Sequence, residues 1–307
     1  MRNPFKNIPI LGWLISITQK VKLLGFEGLT LYDLANLYIP GIIKGTFATR
    51  ASAIAFSFFM AIFPFILFVI NLIPFVWFID DFQAELFDFI LELIPTQSQP
   101  FVDDVLLDII DKPRAGLLSF GFLLSIFLMA NGINAAFTGF EFSVHTQINR
   151  SFIRQYAVAM GVSFIVALLL FTTVISIIYL SYLIEVFTKG GFVQDGAVYA
   201  FLGRGLIVIV MIFSIVATLF YFGTKESKQS RFFSVGAIFT TLLILLFTYL
   251  FSLYIENFGS YNELYGSIGA LLILMVYIWL NSNILLLGFE LNASLHRLKN
   301  NKNLNPN

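Results

Sequence analysis

The stretch YGSIGALLILMVYIWLNSNILLLGFELNASLHR, residues 265–297, decides the fold. It is almost wholly apolar, and it is longer than the ~20 residues needed to cross a bilayer as a helix. Its single carboxylate, Glu290, comes near the end, after Asn281 and Asn283. A bilayer interior penalises such groups, so their presence asks for a partner or a purpose.

Composition extends this reading to the whole chain. Of 307 residues, 58% are hydrophobic and only 12% are charged, with mean hydropathy +0.87. A soluble domain carries about 25% charged residues, so the chain reads as an integral membrane protein. Six runs are long enough to span: 51–79, 116–139, 153–182, 198–222, 232–255 and 265–294. Pro64 and Pro74 predict a kink in the first.

The connections fix an expected orientation. Fourteen of the eighteen Lys and Arg lie in residues 1–50, after the second run, after the fourth run and in the tail. Positive loops stay in the cytoplasm, which puts both termini inside. The opposite side is acidic. Residues 80–114 carry nine Asp and Glu, with Phe82, Leu86, Phe89, Ile90 and Leu93 at helical spacing. Two short amphipathic helices are expected in that outer loop, with the acidic face to water. Residues 1–49 read as a cytoplasmic, interfacial segment and 50–297 as one six-helix transmembrane domain. Residues 298–307, ending in NNKNLNPN, read as a disordered cytoplasmic tail.

Several chemistries lack their signals. There is no cysteine, and the two histidines, His145 and His296, stand far apart. Neither a metal set nor a nucleophile elbow nor a phosphate-binding Gly-rich loop is present. Net charge is zero, so no basic surface suggests nucleic acid. No cofactor is expected.

Polar residues inside the runs fall on helical stripes. Arg50, Ser57, Pro64 and Asn71 repeat every seven residues. Asn131, Asn134, Thr138, Glu141 and His145 follow alternating steps of three and four. Ser214, Thr218 and Tyr221 align in the fourth run, with Arg204 turned aside; Thr241, Thr248, Ser252 and Glu256 align in the fifth. The sixth run is polar on two faces, with Asn283, Glu290 and Ser294 on one and Asn281, Gly288 and Asn292 on the other. A helix polar on both sides belongs between neighbours. Gly266 and Gly269 would let a neighbouring backbone approach, and Pro64 shapes the first run. The candidate polar path or gate is therefore Arg50, Asn71, Asn131, Asn134, Glu141, Arg204, Asn283 and Glu290. Arg50 and Glu290 lie at similar depth and invite an ion pair.

Three segments carry a resemblance: RASAIAFSFFMAIFPFILFVI (50–70), NGINAAFTGFEFSVHTQINRSFIRQ (131–155) and YGSIGALLILMVYIWLNSNILLLGFELNA (265–293). Together they resemble the YihY/BrkB family of bacterial inner-membrane proteins, once labelled ribonuclease BN. The matching positions are Arg50, Pro64, Asn134, Glu141, Tyr265, Gly266, Gly269, Glu290 and Asn292. The resemblance implies a six-helix inner-membrane fold with a virulence or serum-resistance label and a transport role, and no agreed catalytic residues. The expected function is a transporter or lipid-handling protein in the bacterial inner membrane, its partners the lipid bilayer and a lipid or small polar substrate. The alternative is a non-transporting membrane scaffold or envelope-integrity factor. An enzyme, the ribonuclease of the old label included, is disfavoured.

Overall fold

The structure, a computed structural model, describes residues 46–72, 118–141, 151–191, 196–223, 232–257 and 267–304, with the single positions Thr30, Tyr32, Leu91 and Gln99. Among these residues, every element longer than one residue is an α-helix. They are α1 (Thr46–Leu72), α2 (Leu118–Glu141), α3 (Phe152–Lys189), α4 (Gly196–Gly223), α5 (Val235–Asn257) and α6 (Ser267–Leu304). Each apolar run picked out in the sequence is the body of one helix. The interfacial segment before Thr46 and the acidic loop 80–114 lie outside the described residues, apart from those single positions.

Among the described residues, four helices are long and apolar enough to cross a membrane: Phe152–Lys189, Gly196–Gly223, Val235–Ile255 and Gly269–Leu295. In α1 the described side chains Phe47–Ile62 are an apolar stretch. Two helices outrun their apolar cores. At 38 residues, α3 and α6 are each roughly 57 Å long at about 1.5 Å per residue, against a hydrocarbon core of about 30 Å. No proline interrupts α3, and it stops where Gly190 and Gly191 follow Lys189. Gly191 takes φ 74°, a conformation that favours glycine, and Gly190 N–H closes on Val186 O at 2.9 Å. α6 continues through residues 298–304, which the sequence reading gave to a disordered tail. Leu298, Lys299, Lys302 and Leu304 are good helix formers, and the next proline is Pro306.

Consecutive helices pack side by side, and α6 returns to α1, so the six form a closed ring. Contacts set each pair antiparallel. Gly132 and Gly139 of α2 meet Phe58 and Ile54 of α1. Asn134 and Asn131 of α2 meet Gln155 and Tyr156 of α3. Gly203 and Gly196 of α4 meet Leu180 and Ile184 of α3. One end of the bundle, here the proximal end, thus carries the starts of α1, α3 and α5. The other is the distal end.

The core is unequal along this axis. One large cluster joins all six helices in the proximal half. It includes Ile54 of α1, Phe137 and Phe140 of α2, Val162 of α3, Phe220 of α4, Ala237 of α5 and Phe289 of α6. Distally, the described buried side chains form separate pairs. Val174, Ile177 and Ile178 of α3 meet Met211 of α4, while Phe251 and Ile255 of α5 meet Ile273 of α6.

Candidate functional site

The proximal core closes on three aromatic rings from three helices. Phe140 stacks on Phe289 at 4.1 Å between centroids, and Phe220 sets its edge to both at 5.7 Å. Gly223 makes room for them, since a Cβ there would stand 2.6 Å from Phe140 Cδ2. Such ring pairs add to the apolar burial that seals this end.

Arg50 and Glu290 flank this seal. Arg50 Nη1 donates to Gly139 O at 2.9 Å. Gly139 is in the last turn of α2, where carbonyls lack intrahelical donors and the helix dipole is negative, so a cation fits. The guanidinium also lies 5.5 Å from the Phe47 ring centroid. Glu290 is buried, and it attracts Arg50 electrostatically. They join α1, α2 and α6 at one level. Glu141 ends α2 at the same end. Ser294, one turn beyond Glu290, is buried with no hydrogen bond to its hydroxyl.

The α2 stripe meets α3. Gln155 Nε2 donates to Asn134 Oδ1 and Thr138 Oγ1, each at 3.0 Å, and Tyr156 O–H donates to Asn131 Oδ1 at 2.9 Å. Gln155 is only 6% exposed, so its amide depends on these partners. Sequence reasoning missed Gln155 and Tyr156. Their signal was an amide and a phenol at the start of a run facing an amide-rich helix end.

The remaining sequence candidates are scattered. Arg204 of α4 donates from Nη2 to Ser181 Oγ of α3 at 3.1 Å, toward the distal end. Asn283 turns its amide onto its own helix, donating to Trp279 O at 2.7 Å. The side chains of Asn71 and Pro64 lie outside the described residues, as does Gly266. Gly269 is buried. The closest backbone approach shown lies elsewhere on α6. A Cβ on Gly236 of α5 would stand 2.6 Å from Gly288 O, and one on Gly288 would collide with Thr240 Oγ1. Many span hydroxyls are satisfied within their own helix, including Ser57, Ser214, Thr218, Thr240 and Thr241. Among the described residues, no three His, Cys, Asp or Glu come together as a metal set would require.

Among the described residues, the distal half lacks this closure. The stripe Leu202, Leu206, Ile209, Phe213, Val216 and Phe220 follows one face of α4 in steps of four and three. Its proximal members Val216 and Phe220 are 3% and 2% exposed, whereas Leu202, Leu206 and Ile209 are 61%, 62% and 41% exposed. The same change occurs on α2, where Asn134 and Asn131 are covered by α3 but Phe127 and Leu124 are exposed. On α5, Thr241 is buried and Thr248, on the same face, is exposed.

Among the described residues, an all-helical bundle of this apolarity is a multi-helix membrane protein. The chain belongs to the virulence factor BrkB family, whose sequence profile matches residues 43–307. Among its relatives is the ribonuclease-like protein YfkH of Bacillus subtilis (strain 168), 27% identical over 270 residues, 84% of this chain and 93% of that protein. A UPF0761 membrane protein of Coxiella burnetii (strain RSA 493 / Nine Mile phase I) is 25% identical over 251 residues, covering 78% of this chain and 85% of its own. Another from Idiomarina loihiensis is 34% identical over 87 residues, 28% of this chain and 31% of the relative. No solved structure matches the chain.

Proposed function

We propose that this protein is a six-span transporter or lipid-handling protein of the bacterial inner membrane, with both termini in the cytoplasm. In this reading the proximal end faces the cytoplasm and is the closed gate. Phe140, Phe220 and Phe289 form its seal and the Arg50–Glu290 attraction its latch. The distal half is the open vestibule. The observation that carries the reading is the α4 stripe, buried at Phe220 and open at Leu206 along one face. A face that passes from buried to exposed along its length is what a vestibule open toward one end would show. Separation of the ends by one rocking pair of helices is the motion that alternating access requires. The reading is non-enzymatic, and the ribonuclease of a relative's name stays with that relative.

One observation favours the scaffold reading. The α2 amides are taken up by Gln155 and Tyr156, and most described span hydroxyls bond their own backbones. Those polar groups hold helices together and leave little for a solute.

Spin-label distances separate the readings, and a chain without cysteine makes labelling simple. Labels at Leu202→Cys and Leu253→Cys report the distal separation of α4 and α5, and labels at Ile153→Cys and Phe233→Cys report the proximal end. A transporter gives a broad or two-peaked distal distribution beside a narrow proximal one. Two narrow distributions, unchanged in Glu290→Gln, would favour the scaffold and sink the transporter.

A further inference from the structure

We infer that the seam between α2 and α3 docks a second copy of this chain, the Asn131 amides of the two copies pairing across a two-fold axis normal to the membrane. This rests on α2 being one of the six spans of the proposed reading, and it holds for a transporter and a scaffold alike.

The asparagines of α2 and α6 are engaged differently. Asn281 and Asn283 of α6 turn their amide N–H groups onto their own helix, to Tyr277 O at 2.9 Å and Trp279 O at 2.7 Å. On α2 it is the other end of the amide that is engaged. Asn131 Oδ1 accepts from Tyr156 O–H and Asn134 Oδ1 from Gln155 Nε2, and among the described residues no hydrogen bond uses either Nδ2. Phe127 O, the carbonyl one turn before Asn131, lies 3.5 Å from Tyr156 O–H instead. Each α2 amide therefore keeps two N–H groups to donate.

These donors reach the outer surface of the bundle. Asn131 and Asn134 are partly exposed, and one and two turns from Asn131 on the same face Phe127 and Leu123 are 49% and 65% exposed. Lipid suffices for the apolar side chains but not for the amides. Asn131 lies ten residues before the end of α2 at Glu141. That is about 15 Å at about 1.5 Å per residue, half of a hydrocarbon core about 30 Å thick. Neither water nor the ester oxygens of a lipid sit at that depth, so an N–H group there needs an acceptor from protein.

A second copy supplies it. Copies inserted in the same orientation hold Asn131 at the same depth, and a two-fold axis normal to the membrane brings that position onto itself. An amide is donor and acceptor at once, and Oδ1 has a second lone pair beside the one taken by Tyr156. Two such amides close a reciprocal pair, each Nδ2 donating to the other's Oδ1. The adjoining face of α3 has room for a close neighbour. Ala157 and Gly161 are exposed there, and a Cβ on Gly161 would meet nothing within 4 Å. Small residues of this spacing let helix backbones approach in a membrane.

The test places the photoreactive residue p-benzoylphenylalanine at position 127 of the full chain, expressed in a bacterial inner membrane. Adducts are sized and mapped by peptide mass spectrometry. The expected result is a two-copy adduct at least threefold above that from the same residue at position 242 of α5, where Leu242 is 61% exposed. Asn131→Leu should lower the adduct at least threefold. Gly161→Leu enters open space in its own copy and should lower it as much while eluting as wild type, which separates lost docking from lost folding. Tyr156→Phe removes the internal bond and keeps both Nδ2 groups, so the adduct should persist. A two-copy adduct equal at 127 and 242, or indifferent to Asn131→Leu and Gly161→Leu, overturns the inference. So does a loss in Tyr156→Phe as large as in Asn131→Leu, which would assign the effect to α2–α3 packing. Adducts with another protein or with another segment of the same copy would also overturn it. Lipid adducts alone would reject the second copy and uphold α2 as a span, whereas neither lipid nor two-copy adducts would reject both.

Discussion

Replacing Gly288 with alanine tests the tightest helix crossing in the described bundle. The added methyl would overlap Thr240 Oγ1 and lie 2.9 Å from Thr240 Cβ and 3.2 Å from Gly236 O. Thr240 cannot swing clear cheaply, since it is wholly buried and its hydroxyl donates to Gly236 O at 2.7 Å. The helices must part, and α5 then loses contact with α6 along the crossing. Overpacking of this kind costs about 1–3 kcal/mol. A second substitution isolates the cause. Thr240→Ala deletes the colliding oxygen and leaves the nearest atoms at 2.9 and 3.2 Å, contacts that a small shift relieves. Gly288→Ala should therefore cost less in the Thr240→Ala background, with a coupling of roughly 1–2 kcal/mol, larger than the ~0.5 kcal/mol scatter of independent sites. Reversible unfolding in mixed detergent, followed by tryptophan fluorescence, measures all four proteins. A loss under about 0.5 kcal/mol for Gly288→Ala, or strict additivity in the double variant, would refute the geometry of this crossing.

Three further outcomes follow from contacts already described. Tyr156→Phe removes one interhelical hydrogen bond and should cost about 0.6 kcal/mol in the same unfolding assay, whereas Gln155→Leu strands two partners and should cost about 1–3 kcal/mol. Arg50→Met removes the donor to Gly139 O and leaves buried Glu290 without its cation; a loss of about 1–3 kcal/mol is expected, partly restored by adding Glu290→Gln. Gly223→Ala would displace the Phe140 ring from its stack on Phe289, which near-ultraviolet circular dichroism would register as a weakened aromatic signal while far-ultraviolet helicity stays constant.

The existence and order of the helices were legible because apolar length is a one-dimensional property. Six runs became six helices, and the deviations have local causes. α3 ran past its expected end until Gly190 and Gly191 stopped it, and α6 ran past His296 because nothing before Pro306 breaks a helix. Pairings were less legible. Gly266 and Gly269 were chosen as packing glycines because they open a run; the closest approach shown among the described residues uses Gly288 against Gly236. A glycine marks such a crossing only when its neighbour is also small at the matching antiparallel level, and single-helix spacing contains no such information. The same limit applies to Gln155 and Tyr156. Tyrosine and glutamine at the start of a membrane helix read as interfacial residues until Asn131 and Asn134 are seen opposite them.

This limit bears on how polar stripes should be read in any bundle of this kind. A stripe says that lipid does not face the residues freely; it does not say whether water, a side chain or the helix's own backbone does. On α2 the occupant is α3. On α4 and along much of α5 it is the carbonyl one turn back. By that standard the polar groups that best fit a path are not those in the longest stripe. They are Thr248 and Tyr277, whose mutual bond lies at an exposed position, and Arg50 and Glu290, which join three helices at the closed end. Their separation along the bundle is informative. In the proposed transporter, a charged pair at one end and a hydroxyl pair on the far side of an aromatic seal would do two different jobs. If Arg50–Glu290 were only a structural pin, its removal would loosen the proximal end and leave the α4–α5 distances untouched. As a latch, the pair couples the two ends, and Glu290→Gln must shift the distal spin-label distribution toward closure. That long-range effect, from an isosteric change far from the labels, is what a local pin has no means to produce.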